Sequence, residues 1–542
     1  MIIVRSPRGI APFYDAKALD DAQAQTAENC VLKSGKAVPL KALSSSQSLE
    51  ADTISVFKVG STWLEFDAVT HLIQSPVDAE NDRYYYTDGT NQKKQDSSVG
   101  PYDLGVAQPS TGPSLTVNGT GDGTTVGTWV YVYTRVTAWG EESAPSQPSG
   151  EIEPEGDEYI TFTGLSDGSD SHVTNYRLYR AVAGSESSGY LKVPYQTTAG
   201  TLQYDDVYTN MVVYDIPKAD IGDMKDGAVD SQLGEELNTD DWYEPPSDLD
   251  GITDAGNGII FGFSGKNVCF SQLWIPYAWP TDYQYALDED VVAVGHAAGV
   301  PVALTDRSVY VFEGSSPDSF YQRKVTDTQG CMSARSVVST KYGVFFASSD
   351  GLCLALPDQV KVLTKGIWSK DQWNVFSLSS LAGFFFDGDY YAFFDADSEG
   401  FIFPLSSDRQ DVTTFDMTHD FKGGFVDPAN DKLYLNCDTG AARNLYEFDA
   451  GNDLTMTWKS KEFESRPKNF SRFVLIGEAG ASTVTYTGDD TEVMSQSVTH
   501  NSPIALPSGA LYRKHEIQIA GTKEFSAWAL ANSSEELKAN GL

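Results

Sequence analysis

The sequence predicts an all-β fold: a β-propeller interrupted by a β-sandwich and followed by a C-terminal β-rich segment. Three observations predict it. Apolar and polar residues alternate at period two along most of the chain, while period-3.6 stretches are rare. The 28 Tyr, 27 Phe and 10 Trp, with many Thr, Val and Gly, favour pleated, half-buried surfaces over helices. Turn residues recur between short apolar runs at the spacing of antiparallel meanders. At 542 residues the chain also exceeds one ordinary core, so several domains are expected.

In chain order, residues 1–50 read as an extended lead-in, with a short helix expected around residues 16–30. Residues 51–102 read as the first part of the propeller. Short strands at 54–59, 63–67, 71–74 and 83–87 would make the four strands of one blade. Gly, Thr, Ser and Pro crowd residues 109–127 and mark a boundary. Beyond it, 129–138 alternates strongly, with Val130, Val132, Thr134 and Val136 on one face and Tyr131, Tyr133, Arg135 and Thr137 on the other. Further strands at 159–163, 175–180, 190–194 and 202–206 complete a sandwich over 103–217. Residues 220–250 hold eleven acidic residues and one Lys, which predicts a solvated acidic linker over 218–250 with a helical turn near 231–237. Residues 251–454 return to short strands joined by tight turns such as Asp350-Gly351 and Asp387-Gly388, the remainder of the propeller. Residues 455–542 form the C-terminal β-rich segment. No internal repeat is visible, so the propeller rests on strand count and spacing.

Charge narrows the function. The formal net charge is -38, from 38 basic and 76 acidic side chains. Such a surface repels phosphate backbones and anionic membranes, since both normally require clustered Lys and Arg. It suits a passage through which DNA slides without adhering. The five cysteines (Cys30, Cys269, Cys331, Cys353, Cys437) are odd in number and widely spaced, which predicts free buried thiols and neither a disulfide framework nor a zinc site. Neither a secretion signal nor a membrane anchor is expected. The N-terminal apolar run is short, and the nearly uncharged stretch 291–304 is broken by Gly299 and Pro301.

Enzyme motifs are weak. Gly164-Leu165-Ser166-Asp167-Gly168 matches a nucleophile elbow, but a strand follows where the elbow needs a helix, so a β-turn is expected. Asp395-Ala396-Asp397-Ser398-Glu399-Gly400 opens like a calcium loop, yet its twelfth position is Ser406 and strands flank it; a hairpin turn is expected. The six histidines show no metal-ligand spacing, and no phosphate-binding G-x-x-x-x-G-K-[ST] loop is present. No catalytic, cofactor-binding or metal-ligating residue is assigned, no cofactor is expected, and the chain is read as not an enzyme. The interaction candidates are Arg5 and Arg8, which flank Pro7 in an acidic chain and would anchor a neighbour or adaptor. Trp274, Trp279 and Tyr283 would form either an interface patch or core packing.

Three stretches carry a resemblance. The first is Gly9-Ile10-Ala11-Pro12, then Asp15, then Ala27-Glu28-Asn29-Cys30-Val31-Leu32, Gly35 and Pro39. The second is Tyr131-Val132-Tyr133-Thr134 with Gly140-Glu141-Glu142-Ser143-Ala144-Pro145-Ser146, then Tyr176-Arg177-Leu178-Tyr179-Arg180 and Gly189-Tyr190-Leu191-Lys192-Val193; it is similar to an Ig/fibronectin-III-like insert. The third is Leu273-Trp274, Trp279-Pro280 and Tyr283, then Tyr310-Val311-Phe312-Glu313-Gly314 and Phe345-Phe346-Ala347-Ser348-Ser349-Asp350-Gly351. In this order they resemble the tail nozzle (tail tubular protein B) family of short-tailed bacteriophages. The resemblance implies a structural subunit of a virion tail, assembled in the host bacterial cytoplasm. It implies a ring of identical copies, commonly a homohexamer, beneath the tail adaptor and portal-proximal ring and touching tail fibres or spikes. Such a ring retains the packaged genome and conducts DNA during ejection without sequence-specific binding. Two other readings remain: a tail or surface adhesin that binds a cell-surface glycan, and a propeller glycosidase carrying an Ig-like module.

Overall fold

The computed structural model describes residues 1–542 apart from 78–82, 120–125, 157, 167, 169, 185–188, 200–201, 204–210 and 406–410. Almost all its regular structure is strand. No helix among the described residues is long and apolar enough to cross a membrane. The chain divides into two compact units. One comprises Met1–Thr70, Glu289–Glu313 and Gln322–Leu542, and the other His71–Asp288 and Gly314–Tyr321.

The first unit contains blade-like antiparallel meanders, each following the chain from strand to adjacent strand. Val291–Ala297, Val300–Thr305, Val309–Glu313 and Tyr321–Thr326 make one; Val338–Thr340, Gly343–Ser348, Gly351–Ala355 and Val360–Val362 make the next. Leu381–Phe386, Asp389–Phe394, Glu399–Phe403 and Thr413–Asp416 follow. The next sheet, Asp420–Asp427, Lys432–Asp438 and Arg443–Glu447, takes its fourth strand, Ser44–Ser48, from the other end of the chain. Turn chemistry matches: Asp387 (φ 49°) and Gly388 (φ 85°) supply the two positive-φ positions that a two-residue hairpin needs.

The lead-in is woven into sheets that the C-terminal segment builds. Ile2–Arg5 pairs with Phe525–Ala531. Ala24–Glu28 lies between Thr413–Asp416 and Met456–Ser460, and the same sheet runs on through Tyr512–Gly521, Ala481–Gly488 and Thr491–Thr499. Cys30–Lys33 and Lys36–Pro39 join Phe525–Ala531 and Arg472–Gly477. The helix expected at 16–30 therefore does not form. Ala24 and Ala27 are fully buried, and sheet pairing on both sides of this strand overrides weak helical propensity. Beneath these sheets Trp373, Trp458, Trp528, Tyr486 and Phe473 pack in one core.

The four strands expected as one blade divide differently. Ser55–Val59 and Thr62–Phe66 form a separate hairpin, with Trp63 against Tyr434 (ring centroids 4.9 Å apart). His71–Gln74 and Tyr84–Thr87 instead join Gln92–Gln95 and Tyr102–Asp103 in the second unit. Strand existence was legible from alternation; the partner of each strand is a nonlocal choice.

In the second unit this meander precedes the sandwich. One sandwich sheet is Ser114–Asn118, Tyr159–Thr163 and Lys225–Asp226; the other is Trp129–Thr137, Val173–Val182 and Leu191–Lys192, with Ile216–Pro217 beside Val173–Val182. Tyr131, Tyr133, Ile160, Phe162, Tyr176 and Leu178 form its core. The strand expected at 202–206 falls largely outside the described residues. The stretch expected to be a solvated acidic linker is partly built in. Lys225–Asp226 is a sandwich strand, Asp226 is 1% exposed, and Leu237, Thr239 and Leu249 are buried. The physical reason is Arg180, whose buried guanidinium holds Asp226 at 2.9 Å. The helical turn expected at 231–237 is reduced to a single 3-10 turn, Asp230–Gln232. Asp250–Gly256, Ile259–Ser264, Asn267–Phe270 and Gln284–Ala286 then form a further meander. The fold is all-β, of propeller type, with an inserted Ig-like sandwich and a C-terminal β-rich segment.

Candidate functional site

Arg5 and Arg8 are turned towards this chain's own residues. Arg5 Nη2 donates to the Asn540 carbonyl at 2.8 Å. Arg8 Nε donates at 2.7 Å to Asp411, whose side chain is fully buried, and Nη1 lies 3.3 Å from Asp20. The Arg8 carbonyl accepts the indole N–H of Trp458 at 2.9 Å. Both arginines therefore fasten the lead-in to its own unit.

Trp274, Trp279 and Tyr283 separate by burial. Trp279 is 1% exposed, donates to the Pro276 carbonyl at 3.1 Å and packs with Leu249, Ile252 and Ile260. Tyr283 is half-buried. Trp274 stands 53% exposed at φ 60° and lies over Gly258, where an added Cβ would come within 2.3 Å of its ring. Of the three, Trp274 offers open surface and Trp279 belongs to the core.

A second feature was not singled out in the sequence. In the first unit, Glu28, Asp397, Glu399 and Asp416 rim a cavity of about 380 Å³ whose walls include Phe376, Phe394, Phe401 and Phe415. Three neighbouring strands place Glu28, Glu399 and Asp416, and the turn before Glu399 places Asp397. Glu399 faces Asp416 directly in antiparallel register, and Glu28 pairs with Thr414. Facing like charges across a strand pair oppose sheet formation. None of the four carboxylates is in an ion pair among the described residues. The helix Lys370–Trp373, capped by Ser369 Oγ accepting from the Gln372 N–H at 3.2 Å, delivers Phe376 onto Phe394 (centroids 5.4 Å) and leaves Val375 83% exposed. No sequence signal could have found this groove, because Glu28 joins it only through pairing with residues almost 400 positions away.

In the second unit a buried ionic cluster fastens the first meander to the sandwich. Lys94 lies 2.5 Å from Glu141, both nearly fully buried. Arg83 approaches Glu141 at 3.6 Å and covers the Trp139 ring at 4.0 Å. His172 stacks on Tyr102 at 3.9 Å. Burial, helped by the nearby Lys94 charge, pushes the His172 pKa down to about 4, so the ring is neutral at pH 7. Burial also lowers the Lys94 pKa, against the pull of Glu141. Glu142 accepts from Tyr179 Oη at 2.6 Å and pairs with Arg177, which also holds Asp215 at 2.5 Å. These contacts occupy Arg177 beside a cavity of about 450 Å³ lined by Lys192, Val213, Tyr214 and Asp215. The Glu141-Glu142 pair, legible as a turn, is thus an internal anchor.

The weak enzyme motifs serve turns. Ser166 Oγ accepts from the Gly168 N–H at 3.2 Å, and its own N–H donates to Tyr133 Oη at 3.0 Å; Asp167 lies outside the described residues. Asp395 meets Lys422 at 3.4 Å and Arg335 at 3.8 Å, and Ala396 turns at φ 59°; Ser406 also lies outside the described residues. Burial raises all five thiols, Cys30, Cys269, Cys331, Cys353 and Cys437, to about 12, which leaves them unreactive at neutral pH. Among the described residues no group of three or more His, Cys, Asp or Glu is placed to hold a metal ion.

No protein-family model matches the chain, and no curated protein does. Among solved structures, the extracellular domain of a one-component system from B. thetaiotaomicron aligns at 10% identity and a TM-score of 0.28. That alignment covers 88% of this chain, which spans only 48% of the other. YCF48 bound to a D1 peptide aligns at 9% identity over 74% of this chain and 99% of that one, with a TM-score of 0.26. An exo-β-1,3-galactanase from Phanerochaete chrysosporium aligns at 10% identity over 53% and 98%, with a TM-score of 0.20. Likenesses this distant carry no argument about activity, and the fold rests on the sheets described above.

Proposed function

We propose that this chain is a non-catalytic assembly subunit of a virion tail, of the nozzle type that its sequence resembles. Identical copies form a ring below an adaptor, retain the packaged genome and let DNA pass at ejection. The observation that carries the reading is the interlock of the two chain ends. Strands from the first fifty residues pair directly with strands beyond residue 410, and one of them completes a propeller-type sheet. Pulling such a subunit apart requires breaking several strand pairings together, which suits a part that bears load. The net charge of -38 supports the conduit role, because like charge discourages a polyanion from sticking. Arg83, Lys94, Glu141, Arg180 and Asp226 are engaged in internal ion pairs, a use suited to architecture rather than turnover.

The test is mass photometry and negative-stain imaging of the purified chain over a concentration series, alongside incubation with bacterial surface polysaccharides. A closed ring with an axial opening and no polysaccharide cleavage is the expected result. A monomer at every concentration that depolymerises glycan would replace this reading with the glycosidase one. A monomer or trimer that binds cells without cleavage would favour the adhesin.

A further inference from the structure

Resting on the ring reading, we infer that the acidic aromatic groove receives a basic strand edge from a second copy of this chain. The groove has cation-seeking chemistry with no cation of its own. Glu28, Asp397, Glu399 and Asp416 rim it, two of them face each other across a strand pair, and aromatic walls with the exposed Val375 offer apolar contact. A Lys or Arg side chain fits both parts, with its stem on the rings and its head among the carboxylates.

The complementary surface lies on the same unit. Phe463–Lys468 pairs with Tyr512–Gly521 and has no second strand partner among the described residues, so it is an open edge. It exposes Arg466, Pro467 and Lys468 beyond Glu464, while Tyr512–Gly521 adds the exposed Arg513 next to Leu511, 65% exposed. None of these three cations is in an ion pair among the described residues. The Asp489 carboxylate beside them is occupied by the backbone N–H groups of Arg513 and Lys514, at 2.8 and 2.9 Å. In a chain with twice as many acids as bases, three exposed cations without an ion pair next to an exposed Leu stand out. Pro467 and the cations also deter β-pairing along this edge, so a neighbour would contact its side chains instead of extending the sheet.

One chain does not satisfy both surfaces: among the described residues no ion pair joins Glu28, Asp397, Glu399 or Asp416 to Arg466, Lys468 or Arg513, and the two patches lie on different strands, Glu28 beside Thr457 of Met456–Ser460 and Arg466 on Phe463–Lys468. Two different patches that fit each other make a head-to-tail contact, which closes into a ring when the rotation per copy allows it. The attraction is largely between charges near the surface and so weakens as salt rises.

Two double variants test this in the full-length chain: Glu399→Lys with Asp416→Lys in the groove, and Arg466→Glu with Lys468→Glu on the edge. A third chain carries all four changes. Circular dichroism checks folding, mass photometry reads assembly at low and high salt, and carbodiimide cross-linking with mass spectrometry reads contacts. Each double variant should self-associate at least tenfold more weakly than wild type. The four-fold variant should recover most of that loss, a result that simple misfolding does not give. Cross-links should join Lys468 to Glu28, Glu399 or Asp416 between copies. A ring that forms unchanged in both double variants overturns this contact and leaves the ring reading standing. Charge-sensitive association that yields open chains supports the contact and overturns the ring. A wild-type chain that stays monomeric and gives no intermolecular cross-link overturns both.

Discussion

The two units are held together by opposite means. Where the chain ends interlock, the interior is aromatic and nearly neutral. Trp458 is fully buried among Phe525 and Trp528 (centroids 5.8 and 6.5 Å), and its one polar atom is satisfied by the Arg8 carbonyl. Around the sandwich, fully buried charges do comparable work: Arg180 with Asp226, and Lys94 with Glu141. Aromatic burial is insensitive to pH and salt and tolerates gradual change. A buried ion pair gains little net stability over apolar packing, but loses much when one partner goes. The difference teaches that the first region resists separation through area and weaving, while the second is fixed in one arrangement by pairs that must all be present.

The largest expected effect falls on the aromatic side. Trp458→Ala removes a large core side chain and the contact that ties down the lead-in, and should cost about 3–5 kcal/mol. Urea denaturation measures the cost, and hydrogen exchange should show peptides from residues 1–30 losing protection first. Unchanged protection there would break the claim that this tryptophan anchors the lead-in. On the charged side, Glu141→Gln leaves Lys94 buried beside a neutral amide. The expected cost is about 3 kcal/mol, at the low end for such pairs because the lowered Lys94 pKa lets it shed its proton. Exchange should now rise in sandwich peptides and not in the lead-in; a reversed pattern would erase the contrast.

The smallest effect is a pH response. His172 has a folded pKa of about 4, below the usual 6.5, so the unfolded chain takes up its proton more readily. Its contribution is therefore complete above pH 6.5 and is lost as pH falls from 6.5 towards 4. The melting temperature should drop by about 5 °C over that window, and less in His172→Phe, which keeps the stack on Tyr102. An equal drop in both proteins would place the acid sensitivity elsewhere.

Much of the local architecture was legible. The alternation over 129–138 became the Trp129–Thr137 strand, and Asp387-Gly388 became the hairpin turn that its residues demand. What failed was partner choice. Residues 54–87 did contain four strands, yet they split between a hairpin and a different meander. The acidic run near 226 looked solvated because Arg180, which neutralises Asp226, lies 46 positions earlier. Arg8 looked like a free basic anchor because Asp411, its partner, is 403 positions away.

Strand, turn and charge content were set by the order of residues alone, because period-two alternation and positive-φ turn positions act over a few neighbours. The weaving of both ends into shared sheets, the burial of Lys94, Arg180 and Asp226, and the meeting of Glu28 with Glu399 and Asp416 were decided only in three dimensions. Any strand edge can pair with many others, and only the packed whole selects among them.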